Sequence, residues 1–312
     1  MIQVEQLTKK FGPVLAVDNV NFTIARGEII GLLGLNGAGK TTTMRILTTY
    51  LPATSGTAKV AGFDVRTQSM QVRQNVGYLP ENVPLYPEMR VDEYLTYRAK
   101  LKGVQRKGRP ERIEYCLDRC RIRQVRRRLV GTLSKGYRQR VGLADAMIHD
   151  PPILILDEPT VGLDPVQIRE TLALIKELGE KRTILLSTHI LSEIEAVCQR
   201  VIIIHRGRVS SDRPLRELAS LDEILVEVHG PTEQVKNVLQ TTDGVEEVSA
   251  LGQEGGVASF EIRTKDGKDL REAIAQRISR NGWGIRQIDA RRRTVEEHFL
   301  DLVAPDEATT DK

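Results

Sequence analysis

Residues Gly34 to Thr41 read Gly-Leu-Asn-Gly-Ala-Gly-Lys-Thr, and their surroundings confine them to one local architecture. The preceding run, Gly27 to Gly34, has the apolar content of a buried strand. Thr41 to Leu51 follows with Met44, Leu47 and Leu51 on one helical face. Strand, glycine-rich loop and helix in that order match the G-x-x-x-x-G-K-[ST] spacing. Glycines there let backbone N–H groups converge on a phosphate at the positive end of a helix. Asn36, Gly37, Ala38, Gly39, Lys40, Thr41 and Thr42 are therefore the expected phosphate cradle. Lys40 would bring a cation to the outer phosphates of a nucleotide, and the Thr41 hydroxyl would ligate Mg²⁺.

Ile153 to Leu156 is another short apolar run, and it ends in Asp157 and Glu158. Open α/β sheets bind ligands at the carboxyl ends of their strands. Asp157 is expected to hold the metal, directly or through water. Glu158 would take the proton from water attacking the terminal phosphate. Val76 to Leu79, Thr183 to Ser187 and Val201 to His205 read as further buried strands. The first part of the chain thus reads as a mainly parallel sheet with crossover helices. Between Leu85 and Arg128 the pattern is helical only, with Val91, Tyr94, Leu95 and Leu101 at helical spacing, as in an insertion.

Near Ser210 to Leu221 the chain passes into a second unit. Glu223 to His229 alternates as a strand, and Gln234 to Leu239 is helical. Val245 to Ala250 and Ala258 to Arg263 are strand-like, Asp269 to Ser279 is helical, and Gly284 to Ile288 is extended. This β-α-β-β-α-β order is that of a small ferredoxin-like sandwich. Thr294 to Leu302 reads as a last amphipathic helix bearing Val295, Phe299 and Leu302, and the residues after Ala304 as a frayed acidic tail.

Composition narrows the function classes. No run approaches the ~18 to 20 apolar residues of a membrane span. Met1-Ile2-Gln3-Val4-Glu5 lacks the basic start and apolar stretch of a signal peptide, so a cytoplasmic location is expected. The net charge of +4 does not demand a nucleic-acid partner, and none is expected. Arg119, Arg121, Arg123, Arg126, Arg127 and Arg128 form either a solvated face or a contact with anionic lipid headgroups. Cys116 and Cys120 share an apolar helix face with Ile113 and Leu117; they are small core residues or the beginning of a metal site.

Leu133-Ser134-Lys135-Gly136-Tyr137-Arg138-Gln139-Arg140 separates these possibilities further. It resembles the LSGGQ signature of ATP-binding-cassette proteins, with Lys135 in place of the first central glycine and Tyr137 in place of the glutamine. Gly162-Leu163-Asp164 is similar to the family's D-loop, and Ser187-Thr188-His189 to its switch histidine. Phe11 stands where an aromatic residue stacks on adenine. Gly77-Tyr78-Leu79-Pro80-Glu81 resembles the Q-loop, with glutamate for glutamine. Together with the SKGYRQR signature and the 292–299 ending, it is similar to the gliding-motility ATPase (GldA-like) group, whose members serve exporters with separate permeases.

The resemblance implies an α/β P-loop NTPase cassette over residues 1–215, with a helical signature subdomain at about 85–145. An α+β ferredoxin-like accessory domain would follow at 222–304, then a disordered tail at 305–312. It implies ATP and Mg²⁺ as cofactors, with Thr41, Glu81 and Asp157 as metal ligands. Glu158 and His189 would be catalytic. A homodimer, or a pair with a paralogous cassette, would close head to tail, bringing Ser134 and Gly136 to the partner's γ-phosphate. The motor would sit on the inner face of the cell membrane, bound to its transmembrane permease. Val83, Leu85, Tyr86 and Met89 then line a permease groove or pack within the subdomain. A soluble cassette ATPase acting on ribosomes or DNA, and a nucleotide-gated regulator, are the competing readings.

Overall fold

The computed structural model describes residues 1–218, 221–265, 268–292 and Phe299. They divide at Pro214/Leu215 into two compact units.

The first unit is built on two sheets. β1 (Ile2–Phe11) and β2 (Val14–Ile24) form an antiparallel hairpin. β3 (Ile29–Leu33) leads through the phosphate loop into α1 (Lys40–Leu47). β4 (Ser55–Val60) and β5 (Phe63–Asp64) return to the first sheet, whose order is β2-β1-β4-β5. The reading of a mainly parallel sheet did not include this antiparallel layer.

α2 (Ser69–Asn75) leads to β6 (Val76–Leu79). Three helices then form the insertion: α3 (Val91–Leu101), α4 (Arg109–Arg119) and α5 (Lys135–Met147). β7 (Ile153–Asp157), α6 (Pro165–Gly179), β8 (Thr183–Thr188), α7 (Leu191–Val197), β9 (Arg200–His205) and β10 (Arg208–Pro214) complete the unit. The second sheet runs β10-β9-β3-β8-β7-β6, parallel except for β10.

Alternation along the central strands feeds two cores. Ile153, Ile155 and Leu185 face the antiparallel sheet and pack with Val4, Val20 and Phe22. Leu154, Leu156, Ile184 and Leu186 face the helices and pack with Leu95, Leu117 and Met147. Strands apolar on both faces are what a parallel sheet covered on both sides requires.

The insertion answers three open questions. Cys116 and Cys120 are buried in the helical core. Burial pushes the Cys116 thiol up to about 12 and that of Cys120 well above its ordinary value, as for neutral thiols packed as small core residues. Of the arginine run, Arg119 and Arg121 face Glu177, Arg123 pairs with Glu114 and Asp118, and Arg126 with Glu114 and Asp92. With four of the six arginines facing carboxylates of their own chain, the face fits a solvated surface better than a lipid contact. Val83, Leu85 and Met89 pack against the helical core, whereas Tyr86 stays exposed on Tyr94 and Tyr97. Leu101, expected on the buried stripe, is exposed at the end of α3.

The second unit contains α8 (Leu215–Leu218), β11 (Leu221–His229), α9 (Thr232–Gln240), β12 (Val245–Glu254), β13 (Val257–Thr264), α10 (Arg271–Arg280) and β14 (Gly284–Arg292). Its antiparallel sheet has the order β12-β13-β11-β14. Ile224, Val226, Phe260 and Ile262 pack under Val235, Leu239, Ile274 and Ile278 of the two longer helices. That is the ferredoxin-like arrangement. The Thr294–Leu302 helix, Phe299 apart, and the 305–312 tail lie outside the described residues.

Candidate nucleotide site

The site forms where β3, β7 and β8 end together. The chain leaves β3 at Leu33 and turns so tightly that Ala38 N–H donates to the Leu35 carbonyl at 3.1 Å. Gly39 precedes α1 with φ 105°, a conformation that costs a glycine little and other residues much. Lys40, nearly buried, curls back so that Nζ donates to the Gly34 carbonyl at 2.7 Å and the Leu35 carbonyl at 3.2 Å. Asn36 to Thr42 wall a cavity of about 380 Å³, to which Glu81, Glu158, Val161 and His189 also contribute.

Asp157 is fully buried at the end of β7. The Ser187 hydroxyl donates to Oδ1 at 2.7 Å and the Thr41 hydroxyl to the same oxygen at 3.1 Å. Burial raises the carboxyl above its ordinary range, the Glu158 charge adds to this, and the two hydroxyls oppose it. The Tyr78 hydroxyl points at Oδ2 from 3.5 Å; burial and the Asp157 charge hold that phenol protonated.

Glu158 has φ 47°, in the left-handed region. A non-glycine residue held there stores on the order of 1–3 kcal/mol of strain. Its N–H is held by the Ser187 hydroxyl at 3.0 Å and the Ser187 carbonyl at 3.2 Å. With the backbone so turned, the carboxylate lies between Lys40 and His189. Lys40 Nζ is 3.3 Å from Oε1, and His189 Nδ1 is 2.9 Å from Oε2. His189 is set by its neighbour: the Thr188 hydroxyl donates to Glu193 at 2.7 Å and accepts from Ile190 N–H at 3.0 Å.

Hard oxygen donors thus lie at and just behind the cavity wall. Thr41 and Asp157 touch, and Glu81 faces the same cavity. That donor chemistry fits Mg²⁺, which is held through one or two carboxylates plus substrate phosphates. Among the described residues no group of three or more His, Cys, Asp or Glu forms a closed metal site.

Three expected binding residues stand apart from the cavity wall. Phe11 is half-exposed beside the β1–β2 turn, with Lys9 Nζ 5.0 Å from its ring centre. Ser134 is the N-cap of α5, its hydroxyl accepting from Tyr137 N–H at 3.4 Å, and Gly136 is buried in the first turn. Ser187 and Tyr78 were visible in sequence only as members of quoted motifs; no spacing rule singled out their hydroxyls.

A family model described as ABC transporter matches residues 17–161. A second, described as AAA domain, putative AbiEii toxin, Type IV TA system, matches residues 128–195. The uncharacterized ABC transporter ATP-binding protein YxlF of Bacillus subtilis (strain 168) is 32% identical over 97% of this chain and 99% of its own length. The bacitracin transport ATP-binding protein BcrA of Bacillus licheniformis is 32% identical over 97% of each. The probable multidrug ABC transporter ATP-binding protein YbhF of Escherichia coli (strain K12) is 38% identical over 67% of this chain, but the chain spans only 36% of its length. Among solved structures, an ATP binding subunit of an ABC transporter superposes with TM-score 0.64 at 32% identity, covering 70% of this chain and 91% of that one. The dimeric ABC transporter cassette MJ0796 superposes equally well at 26% identity, covering 69% of this chain and 99% of that one. The chain belongs to the ABC transporter family, as an ATP-binding subunit, and so to its ATPases.

Proposed function

We propose that the chain is the motor of an exporter: with a second copy, or a paralogous cassette, it closes head to tail over MgATP and drives a separate transmembrane permease. The observation that carries this reading is the Glu158 carboxylate, poised between Lys40 and His189 on the wall of the phosphate-loop cavity.

In this reading the Asn36 to Thr42 amides cradle the phosphates, and Lys40 moves its charge onto the β- and γ-phosphates. Water attacks the γ-phosphorus, the bond to the bridging oxygen breaks, and ADP leaves with that electron pair. Glu158 accepts the proton of the attacking water, and His189 holds the water and senses the γ-phosphate. Thr41, Asp157 and Glu81 would hold Mg²⁺, which when bound neutralises charge between the β- and γ-phosphates. Phe11 stacks on adenine. The partner chain contributes its Ser134 hydroxyl and the N-terminus of its signature helix, with Gly136 permitting the close approach.

Support for the permease comes from relatives named for multidrug and bacitracin transport. Among the described residues no helix is long and apolar enough to cross a membrane, which agrees with a motor held at the inner face by its permease.

The test is Glu158→Gln. ATP affinity should be retained while turnover drops ~10²–10⁴-fold, the usual contribution of a general base. Unchanged turnover would remove Glu158 from the chemistry.

A further inference from the structure

Lys135 occupies the place of the signature's first central glycine, and the fold supplies that departure with a partner. A β-carbon on Gly162 would overlap Lys135 Nζ and come within 3.0 Å of Cε and 3.2 Å of Cδ. The end of the lysine chain therefore lies across this glycine. Gly162 has φ +70°, so its backbone path itself depends on having no side chain. The contact is reciprocal: a β-carbon on Gly136 would overlap Gln167 Oε1 and come within 2.9 Å of Cδ. One turn further along, Arg140 pairs with Glu170. The starts of α5 and α6 interlock through side chains laid over each other's glycines.

The loop clasped in this way is the one that carries the base. It opens at Glu158, whose left-handed backbone is held by Ser187. Val161 faces the nucleotide cavity, and Gly162 lies under Lys135. Asp164 ends the loop by capping α6, accepting from Val166 N–H at 3.0 Å and Gln167 N–H at 2.9 Å. The Glu158 side chain is aimed by a short path between two anchors, and Lys135 is at the downstream one. Lys135 is exposed and forms no ion pair among the described residues, so its replacement breaks no salt bridge.

We propose that Lys135 is a positioning residue: lying across Gly162 of its own chain, it links the signature segment to the Glu158 loop, so that engagement of Ser134 with the partner's nucleotide sets the base of this chain's own site. The inference rests on the head-to-tail reading above. A displacement of ~1 Å in a catalytic group can cost ~10²-fold in rate, so a small shift of this loop is enough to be read as activity. Coupling between sites in proteins typically amounts to roughly 5- to 150-fold.

The experiment uses the full chain. ATPase rate is measured against ATP concentration for the parent, Lys135→Ala and Lys135→Arg, and molar mass in MgATP for Glu158→Gln and the Lys135→Ala/Glu158→Gln double variant. Lys135→Ala should lose roughly tenfold in kcat, within the range above. Its cooperativity should fall toward a Hill coefficient of about 1, the value for uncoupled sites. Lys135→Arg should retain both, and the double variant should form the same dimer as Glu158→Gln. Parental kcat and Hill coefficient in Lys135→Ala overturn the proposal. Loss of the dimer in the double variant alone also overturns it, because Lys135 would then act within the shared pocket itself. A monomeric Glu158→Gln variant instead sinks the head-to-tail reading, and the proposal with it.

Discussion

Ser187 holds both acidic residues of the site at once, through a hydroxyl that donates to the Asp157 carboxylate and accepts from the backbone N–H of Glu158. Its removal takes from Asp157 Oδ1 one of its two hydroxyl donors, leaving Thr41, and from the Glu158 N–H its shorter acceptor, leaving the Ser187 carbonyl. Ser187→Ala should therefore lower stability by ~1–3 kcal/mol, the contribution of the hydrogen bonds lost. It should also slow turnover more than it weakens nucleotide binding, since Lys40 and the loop amides are untouched. Chemical denaturation and single-turnover kinetics check the two halves; parental values in both would show that Ser187 is a bystander. At this scale the sequence was legible where chemistry is local. Lys40, Thr41, Asp157 and Glu158 could be placed because a strand, a loop and a carboxylate pair have fixed spacing. The left-handed backbone of Glu158 and the Lys135–Gly162 contact could not, because both depend on segments that meet only after folding.

Among the elements, β3, β7 and β8 were readable because both of their faces are apolar. The antiparallel layer was not, for a visible reason. Val4 and Leu7 face the same core, but the register shifts between them and Gln6 has φ 50°. Asn19 does the same between Val17 and Val20 in β2. Bulges of this kind break the period-2 signal by which a half-buried strand is recognised.

The link from α5 to β7 carries a pH response. His149 sits there with Nε2 3.2 Å from the Val76 carbonyl of β6, while Nδ1 is buried without a partner. Burial, with the Lys102 charge adding to it, pushes the imidazole down to about 4. Its folded-state value lies below the unfolded one, so the neutral ring's contribution is whole above pH ~6.5 and is lost as pH falls toward 4. The unfolding midpoint should drop across that window, by on the order of 3 kcal/mol at its lower end. His149→Gln should flatten the slope, measured by urea titration at several pH values; an unchanged slope would contradict the assignment.

Tyr86 belongs to the same scale. It remains exposed while Val83, Leu85 and Met89 turn inward. Tyr86→Asp is expected to leave the ATPase of the isolated chain intact and to weaken its coupling to a permease, with transport in vesicles as the readout. Equal loss of both activities would make Tyr86 a structural residue instead.

For the whole molecule, the described residues that wall the nucleotide cavity all belong to the first unit, and the second unit has a core of its own. A chain ending at Pro214 should thus bind ATP with the full chain's affinity, as measured by fluorescent-nucleotide titration. A tenfold loss would mean the ferredoxin-like unit supports the site. Neither unit supplies Ser134 to the cavity of its own chain, and on that the account of a shared pocket depends.

The most direct measurement mixes two inactive variants, Lys40→Ala and Ser134→Glu. In a head-to-tail pair of unlike chains, both lesions fall in one pocket and the other pocket is intact. Mixing should restore ATPase above that of either variant alone, up to roughly a quarter of the parental rate when subunits pair at random, and less than that to the extent that Lys135 couples each chain's base to its own Ser134. No recovery on mixing, with each variant folded and able to dimerise, would contradict the two-chain site.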